Sequence, residues 1–170
     1  MPCLGILPPS LGGQRPLHMS GEHLEEVCKY KYLGVIITHN LTWSEHCSAK
    51  VKTANKIMGL VRRTLGVCNY QTKSVAYTTL VRPHLEHCSP VWSPYTKKDI
   101  HLLERVQKRA AHICLGNWED SYEHLRGVLK WQTLELRRTY LSLLQMFRIV
   151  RGNDAIPFDA FFELAACQST

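Results

Sequence analysis

A chain of 170 residues, 45% apolar and 21% charged, is one domain of ordinary size or the severed end of a larger protein, with enough apolar content to bury a core. That content excludes disorder over its whole length. Lys and Arg number 21 against 14 Asp and Glu, a net charge of +7, which suits nucleic acid or another acidic surface as partner and carries no information on fold.

No apolar run approaches the ~18 residues of a membrane span. The opening stretch MPCLGILPPSLGGQRP lacks a basic region followed by an apolar one and does not read as a signal peptide. Cys3, Cys28, Cys47, Cys68, Cys88, Cys114 and Cys167 are odd in number, scattered and free of any CxxC pair. This is reduced, intracellular usage rather than a disulfide framework, with nucleus and cytoplasm not distinguished. Charge is uneven: residues 1–40 are neutral (3 basic, 3 acidic), residues 41–152 carry +10 (18 basic, 8 acidic) and residues 153–170 carry −3 (none basic, 3 acidic).

Residues 1–16 read as a flexible leader, broken by Pro2, Pro8, Pro9, Pro16 and the Gly12-Gly13 pair. Candidate strands follow at 17–19 and 24–28, and a stronger one at 30–38 (YKYLGVIIT), rich in aromatic and β-branched residues. Together they predict a small antiparallel sheet over 17–40. From Thr42 the period turns helical. Thr42-x-x-Glu45 has the form of a capping box, and Cys47, Val51, Ala54, Met58, Val61 and Leu65 make one apolar stripe closed by Gly66. A second helix is expected from about Gln71 through Val75, Leu80 and Val81 towards Cys88, kinked near Arg82 by Pro83. Thr96-x-x-Asp99 caps a third, with Ile100, Leu103, Val106, Ala110 and Ile113 inward and Gly116 at its end. Asp120-x-x-Glu123 opens a fourth, to about Leu129. The fifth, about 133–151, shows Leu136, Tyr140, Leu143, Phe147 and Val150 at spacings of 4, 3, 4 and 3. The fold class is mainly α: a short antiparallel hairpin or sheet, then a bundle of about five amphipathic helices over 41–152, and an acidic tail at 153–170.

The stretches YKYLGVIIT (30–38), LTWSEHC (41–47), LVRPHLEHCSPVW (80–92), LERVQKRAAHI (103–113), LKWQTLELRR (129–138) and IPFDAFF (156–162), in this order and spacing, resemble the C-terminal part of non-LTR (LINE-like) retrotransposon reverse transcriptases of the jockey and chicken-repeat type. The resemblance covers about residues 17–165. It implies that the KYLGV residues form a hairpin at the palm edge, near the primer end. It also implies that the following helices are a thumb with its C-terminal extension, holding the template–primer duplex, and that the fingers and catalytic palm lie upstream. The residues agree independently. Two-metal phosphoryl transfer needs carboxylates holding ions ~3.5–4 Å apart, yet Asp99, Asp120, Asp154 and Asp159 are unpaired and none sits in the family's aromatic-x-Asp-Asp turn. No catalytic residue, metal site or cofactor is therefore expected here, since Mg²⁺ would belong to the palm, and the chain is not expected to be an enzyme on its own.

The third helix carries the clearest basic face. With Ile100 at zero, the apolar stripe centres near −80° by helical geometry, and Arg105, Lys108, Arg109, His101 and His112 fall between about 80° and 180°. A solvated face and a phosphate-contacting face are both open readings of Arg105, Lys108 and Arg109, and the same holds for Lys50, Lys52, Lys56, Arg62 and Arg63 on the first helix. Phosphate contact would fix position without reading sequence. Arg137, Arg148 and Arg151 are expected to snorkel over the core edge. His84, His87 and Cys88 would need a fourth ligand, such as His46 or Cys47, to hold zinc, and packing is the preferred reading. Tyr30, Tyr32, Trp43, Trp92 and Trp131 are read as core rather than as base-stacking platforms. His46-Cys47 is no catalytic dyad, because neighbours on a helix do not face each other. Two functions stay in view: binding of RNA–DNA hybrid or other duplex through basic helix faces, with no membrane partner, or a transposon-derived helical interaction module (or functionless relic) that self-associates through exposed apolar surface.

Overall fold

The computed structural model describes residues 27–160 and, ahead of them, four two-residue strands. Of those, His18–Met19 pairs antiparallel with Glu22–His23, and Leu4–Gly5 pairs parallel with Glu25–Glu26. The rest of the leader and the tail beyond residue 160 lie outside the described residues.

The run at 30–38 is two strands, not one. β1 (Lys29–Tyr32) and β2 (Val35–Thr38) pair antiparallel in the register Lys29↔Thr38 to Tyr32↔Val35. Leu33 (φ 46°) and Gly34 (φ 85°) join them with both turn residues left-handed, the two-residue loop whose twist matches that of the flanking strands. β1 is exposed throughout, so Tyr32 (58% exposed) is not a core residue. β2 buries Val35 and docks on the first helix, where the Ile36 N–H donates to His46 Nδ1 (3.1 Å).

α1 (Ser44–Thr64) buries Cys47, Ala54, Met58 and Val61, the predicted stripe. Its predicted cap is wrong. The helix starts one residue late, behind Trp43, with no side-chain cap, because the Thr42 hydroxyl is bound to Asn40 Oδ1 (2.9 Å), while Glu45 pairs with Lys29 (3.2 Å). α2 (Tyr70–Ala76) is capped by Asn69 and passes through a π turn (Tyr77–Val81) into α3 (Arg82–Glu86). Pro83 has no N–H and crowds the preceding turn, and the chain widens there into i→i+5 bonding, with Arg82 N–H donating to Tyr77 C=O. The inward face runs through Tyr77, Val81 and Leu85, four residues apart and fully buried, whereas Val75 and Leu80 of the predicted stripe fall about 100° or more away and are exposed.

α4 (Ser89–Trp92) is a single turn that buries Trp92. α5 (Lys97–Leu115) is bounded as predicted, by Thr96, whose side chain accepts from the Asp99 N–H, and by Gly116 at φ 68°. α6 (Tyr122–Leu129) is capped by Ser121 rather than Asp120, whose carboxylate instead takes the Asn117 side chain (2.9 Å) and His124 (3.0 Å). α7 (Leu134–Val150) starts at Thr133 as expected.

α5 is the spine, packed on α1, α2, α6 and α7. It runs parallel to α1: Ser44 donates to Asp99 (2.7 Å) at the N-terminal ends, and Arg62 and Gly66 meet Ile113 and Gly116 at the C-terminal ends. At its centre, the fully buried Gln107 accepts from the Tyr77 hydroxyl (3.0 Å) and donates to Gln132 C=O (2.8 Å) and Tyr122 Oη (2.9 Å). Tyr122 donates in turn to Glu104, which also accepts the Leu134 N–H (2.9 Å). One polar hub thus ties the π turn, α5, α6 and α7 together.

α7 reverses its expected orientation. Its buried residues are Leu134 and Arg138, while Leu136, Tyr140, Leu143, Phe147 and Val150 are each more than half exposed. At 100° per residue that stripe centres almost opposite Arg138.

Candidate nucleic-acid interface

The groove between α1 and α5 collects part of the predicted basic surface. Arg105 and Arg109, one helical turn or ~6 Å apart, line a cleft of about 150 Å³ with Val51, Asn55, Leu102 and Val106. Arg62 borders a second cleft of about 260 Å³ at the C-terminal end of the same groove, with Gly66, Lys73, His112, Ile113, Gly116 and Trp118. Among the described residues, Arg62, Arg105 and Arg109 form no ion pair with a carboxylate. Lys108 is exposed on the same side of α5, turned away from α1.

The remaining predicted cations do not converge there. Lys50 lies on the opposite flank of α1, under the hairpin turn, and its ammonium pKa is lowered by burial. Lys52 borders a shallow hollow with Ile36, Ser48 and Ala49. Lys56 and Arg63 face solvent on the outer side of α1. Eight cations on two helices were legible as residues; the direction in which each points was not.

Three other expectations change. Arg137 does not snorkel but holds Glu86 in a two-pronged ion pair, Nη2 to Oε2 at 3.0 Å and Nε to Oε1. Arg151 lies over the Phe147 ring at 5.2 Å, and Arg148 is exposed. Asp120 belongs to the loop before α6 and not to the helix.

His46 and Cys47 are both fully buried. Burial, with help from Lys50 and His87, pushes the His46 imidazole down to about 4, and burial pushes the Cys47 thiol up to about 12. Both are neutral near pH 7, so no thiolate–imidazolium pair forms. His46 packs against Trp92 with ring centroids 4.6 Å apart. His87 Nε2 lies 3.4 Å from Leu33 C=O and 3.4 Å from Cys88 Sγ. Among the described residues no group of three or more His, Cys, Asp or Glu is placed to hold a metal ion, and no helix is long and apolar enough to cross a membrane.

Two residues of the second cleft, beyond the arginine row, escaped the sequence reading: Lys73 and Trp118. Trp118 sits in the irregular stretch after Gly116, outside any apolar period, and its isolation in a Gly-Asn-Trp loop was the only signal. It is 62% exposed and stacks on His112, with centroids 5.1 Å apart and planes within 7°. Trp92 and Trp131, by contrast, are core residues as expected.

No family model, curated protein or solved structure matches the chain.

Proposed function

We propose that the chain is the thumb-like C-terminal region of a non-LTR reverse transcriptase, and that it holds template–primer nucleic acid along the α1–α5 groove without catalysing its synthesis. The observation that carries this reading is the row of uncompensated cations, Arg105, Arg109 and Arg62, along one groove. Its support in sequence is the ordered set of family-like stretches, one of which, LERVQKRAAHI, carries Arg105 and Arg109 on the α5 wall of that groove. Mg²⁺ and the polymerase carboxylates would belong to the catalytic palm.

The test is fluorescence anisotropy with a labelled blunt RNA–DNA hybrid at several salt concentrations. If each of the three arginines neutralises one phosphate, log K falls against log salt with a slope of about −3, from ~0.9 per phosphate on B-form DNA. A variant with Arg105, Lys108 and Arg109 changed to Glu loses that binding. A folded, monodisperse sample that ignores the hybrid at low salt sinks the proposal.

A second reading, a helical protein-interaction module, is favoured by α7. An apolar stripe of five residues left facing solvent, opposite the face that packs on the core, is the pattern of a helix enclosed by something further. Sedimentation velocity separates the two readings. Self-association that disappears in Leu143→Glu, with hybrid binding absent, replaces the first reading by the second.

A further inference from the structure

The cleft at the C-terminal end of the groove differs chemically from the row of arginines leading to it. Trp118 is exposed yet not loose. One face of the indole is laid on the His112 ring, and the other is open. Beneath it, His112 is buried and fixed, its Nδ1–H donating to the Asn117 carbonyl at 2.7 Å. The Asn117 side chain binds the loop to itself, accepting from the Glu119 N–H (2.9 Å) and the Asp120 N–H (3.2 Å) and donating to the Asp120 carboxylate (2.9 Å). A large aromatic surface is therefore held rigid before any ligand arrives, so little rotamer freedom is lost on stacking.

The walls select the ligand. Arg62 and Lys73 supply two cations, and Gly66 and Gly116 leave the floor without side chains. A methyl group added at Gly66 would approach the Arg62 carbonyl at 3.1 Å, while the space above Gly116 is open. Of the two nearby carboxylates, Asp120 is held by Asn117 and His124, leaving Glu119 exposed. A volume of about 260 Å³ lies just below the usual range for drug-sized ligands, which suits one planar ring system with its attached anionic group. An aromatic platform of this kind accepts any base, because every base has a π-face.

We infer that this cleft binds one unpaired nucleobase, stacked on Trp118 with its phosphate between Arg62 and Lys73, at the end of a strand that enters along the α1–α5 groove. The inference rests on the nucleic-acid reading above and specifies its ligand further: single-stranded nucleic acid at this end, not duplex. Geometry favours it because the cations of the groove, one to two turns of α5 earlier, follow a backbone, whereas the stacked pair at its end offers a flat surface that a base inside a stacked duplex cannot reach.

The experiment titrates the whole protein with pentathymidylate, following tryptophan emission. Trp118 is the accessible emitter, since Trp92 and Trp131 are buried and Trp43 is half-buried. Saturable quenching is expected, absent in Trp118→Leu and restored in part by Trp118→Tyr in a parallel anisotropy titration with labelled pentathymidylate. A hybrid with a five-nucleotide overhang should bind about tenfold more tightly than a blunt one, the factor expected for one stacked base, and Trp118→Leu should erase that difference while leaving blunt binding intact. Lys73→Glu, a second variant outside the loop, should lower overhang affinity without changing far-ultraviolet circular dichroism. Equal binding of blunt and overhanging hybrids overturns this inference and leaves the groove reading standing. Quenching by pentathymidylate with no blunt-hybrid binding overturns the groove reading and leaves the cleft as a single-strand site. Quenching that persists in Trp118→Leu, or an equal response to pentaglutamate, shows that no base is stacked there and overturns the inference.

Discussion

Replacing Gln107 by Leu conserves most of the side-chain volume and removes the amide from the hub under α5. Its four partners are affected unequally: Glu104, 3.4 Å from the amide, keeps its bonds from Tyr122 and the Leu134 N–H. The Tyr77 hydroxyl, in a fully buried ring, loses its acceptor, and the Gln132 carbonyl loses the Nε2 donor. A buried polar group left without a partner costs ~1–3 kcal/mol; Tyr77 is fully buried whereas Gln132 is an exposed residue, so the orphaned hydroxyl dominates and predicts a loss of about 2 kcal/mol, a sizeable part of the 5–15 kcal/mol typical of a domain. Tyr77→Phe removes one of these groups in advance. The double variant should therefore be about 1–2 kcal/mol more stable than the sum of the two single losses. Urea unfolding followed by circular dichroism at 222 nm measures all four corners of the cycle. Strict additivity, or a Gln107→Leu loss below ~1 kcal/mol, would refute the claim that one amide couples these elements, because either result means that the groups find other partners.

Other outcomes follow from buried and strained groups. His46 has a folded pKa of about 4 against an ordinary 6.5, so the unfolded chain binds more protons between those values. Its contribution is intact above pH 6.5 and is lost as pH falls towards 4, about 2 kcal/mol of it by pH 5. The urea midpoint should drop from pH 7 to pH 5, and His46→Gln should flatten that drop; an unchanged slope in the variant assigns the effect elsewhere. Burial raises the Cys47 thiol to about 12 and the Cys114 thiol to about 11, so alkylation at pH 8 with peptide mapping should spare both in native protein while labelling the exposed Cys28. Native labelling of Cys47 would contradict its burial. Leu33 holds φ 46° at the first turn position of the hairpin, which Asn tolerates better, and Leu33→Asn should raise stability by ~0.5–1 kcal/mol in the same unfolding assay.

The helices were legible because their limits are local. Thr96, Thr133 and Gly116 do their capping within one turn, and the stripes of α1 and α5 repeat long enough to leave one solution. The misreadings arose where a competing local bond or a backbone irregularity intervened. Asn40 took the Thr42 hydroxyl, Ser121 displaced Asp120 by a single position, and around the π turn before Pro83 the core took the face through Tyr77, Val81 and Leu85 rather than Val75 and Leu80. The hairpin was expected, but the position of its turn inside the 30–38 run was not legible: Leu33 is a poor turn signal, and Gly34 alone does not announce two left-handed residues. In the candidate site, residue type was readable but direction was not. Arg62 and Arg63 are neighbours in sequence and differ by 100° around α1; only the packing of α1 on α5 decides which of them reaches the groove.

α7 shows the limit of periodicity most clearly. Two apolar arcs lie on this helix, one through Leu136, Tyr140, Leu143, Phe147 and Val150, the other through Leu134, Leu141, Leu144 and Ile149, and the first has the cleaner spacing. The fold nevertheless turns the second inward, with Leu134 buried and Leu141, Leu144 and Ile149 half-buried, together with buried Arg138, whose guanidinium lies in the field of the Glu104, Glu135 and Glu86 carboxylates. The choice is made at the start of the helix. The Leu134 N–H is held by Glu104 of the hub, and Arg137 is held by Glu86 of α3. These two polar attachments, three residues apart, fix the rotation of the helix at its start. The cleaner stripe is thereby turned outward, where only a further surface can cover it, and the core of this domain is completed without it.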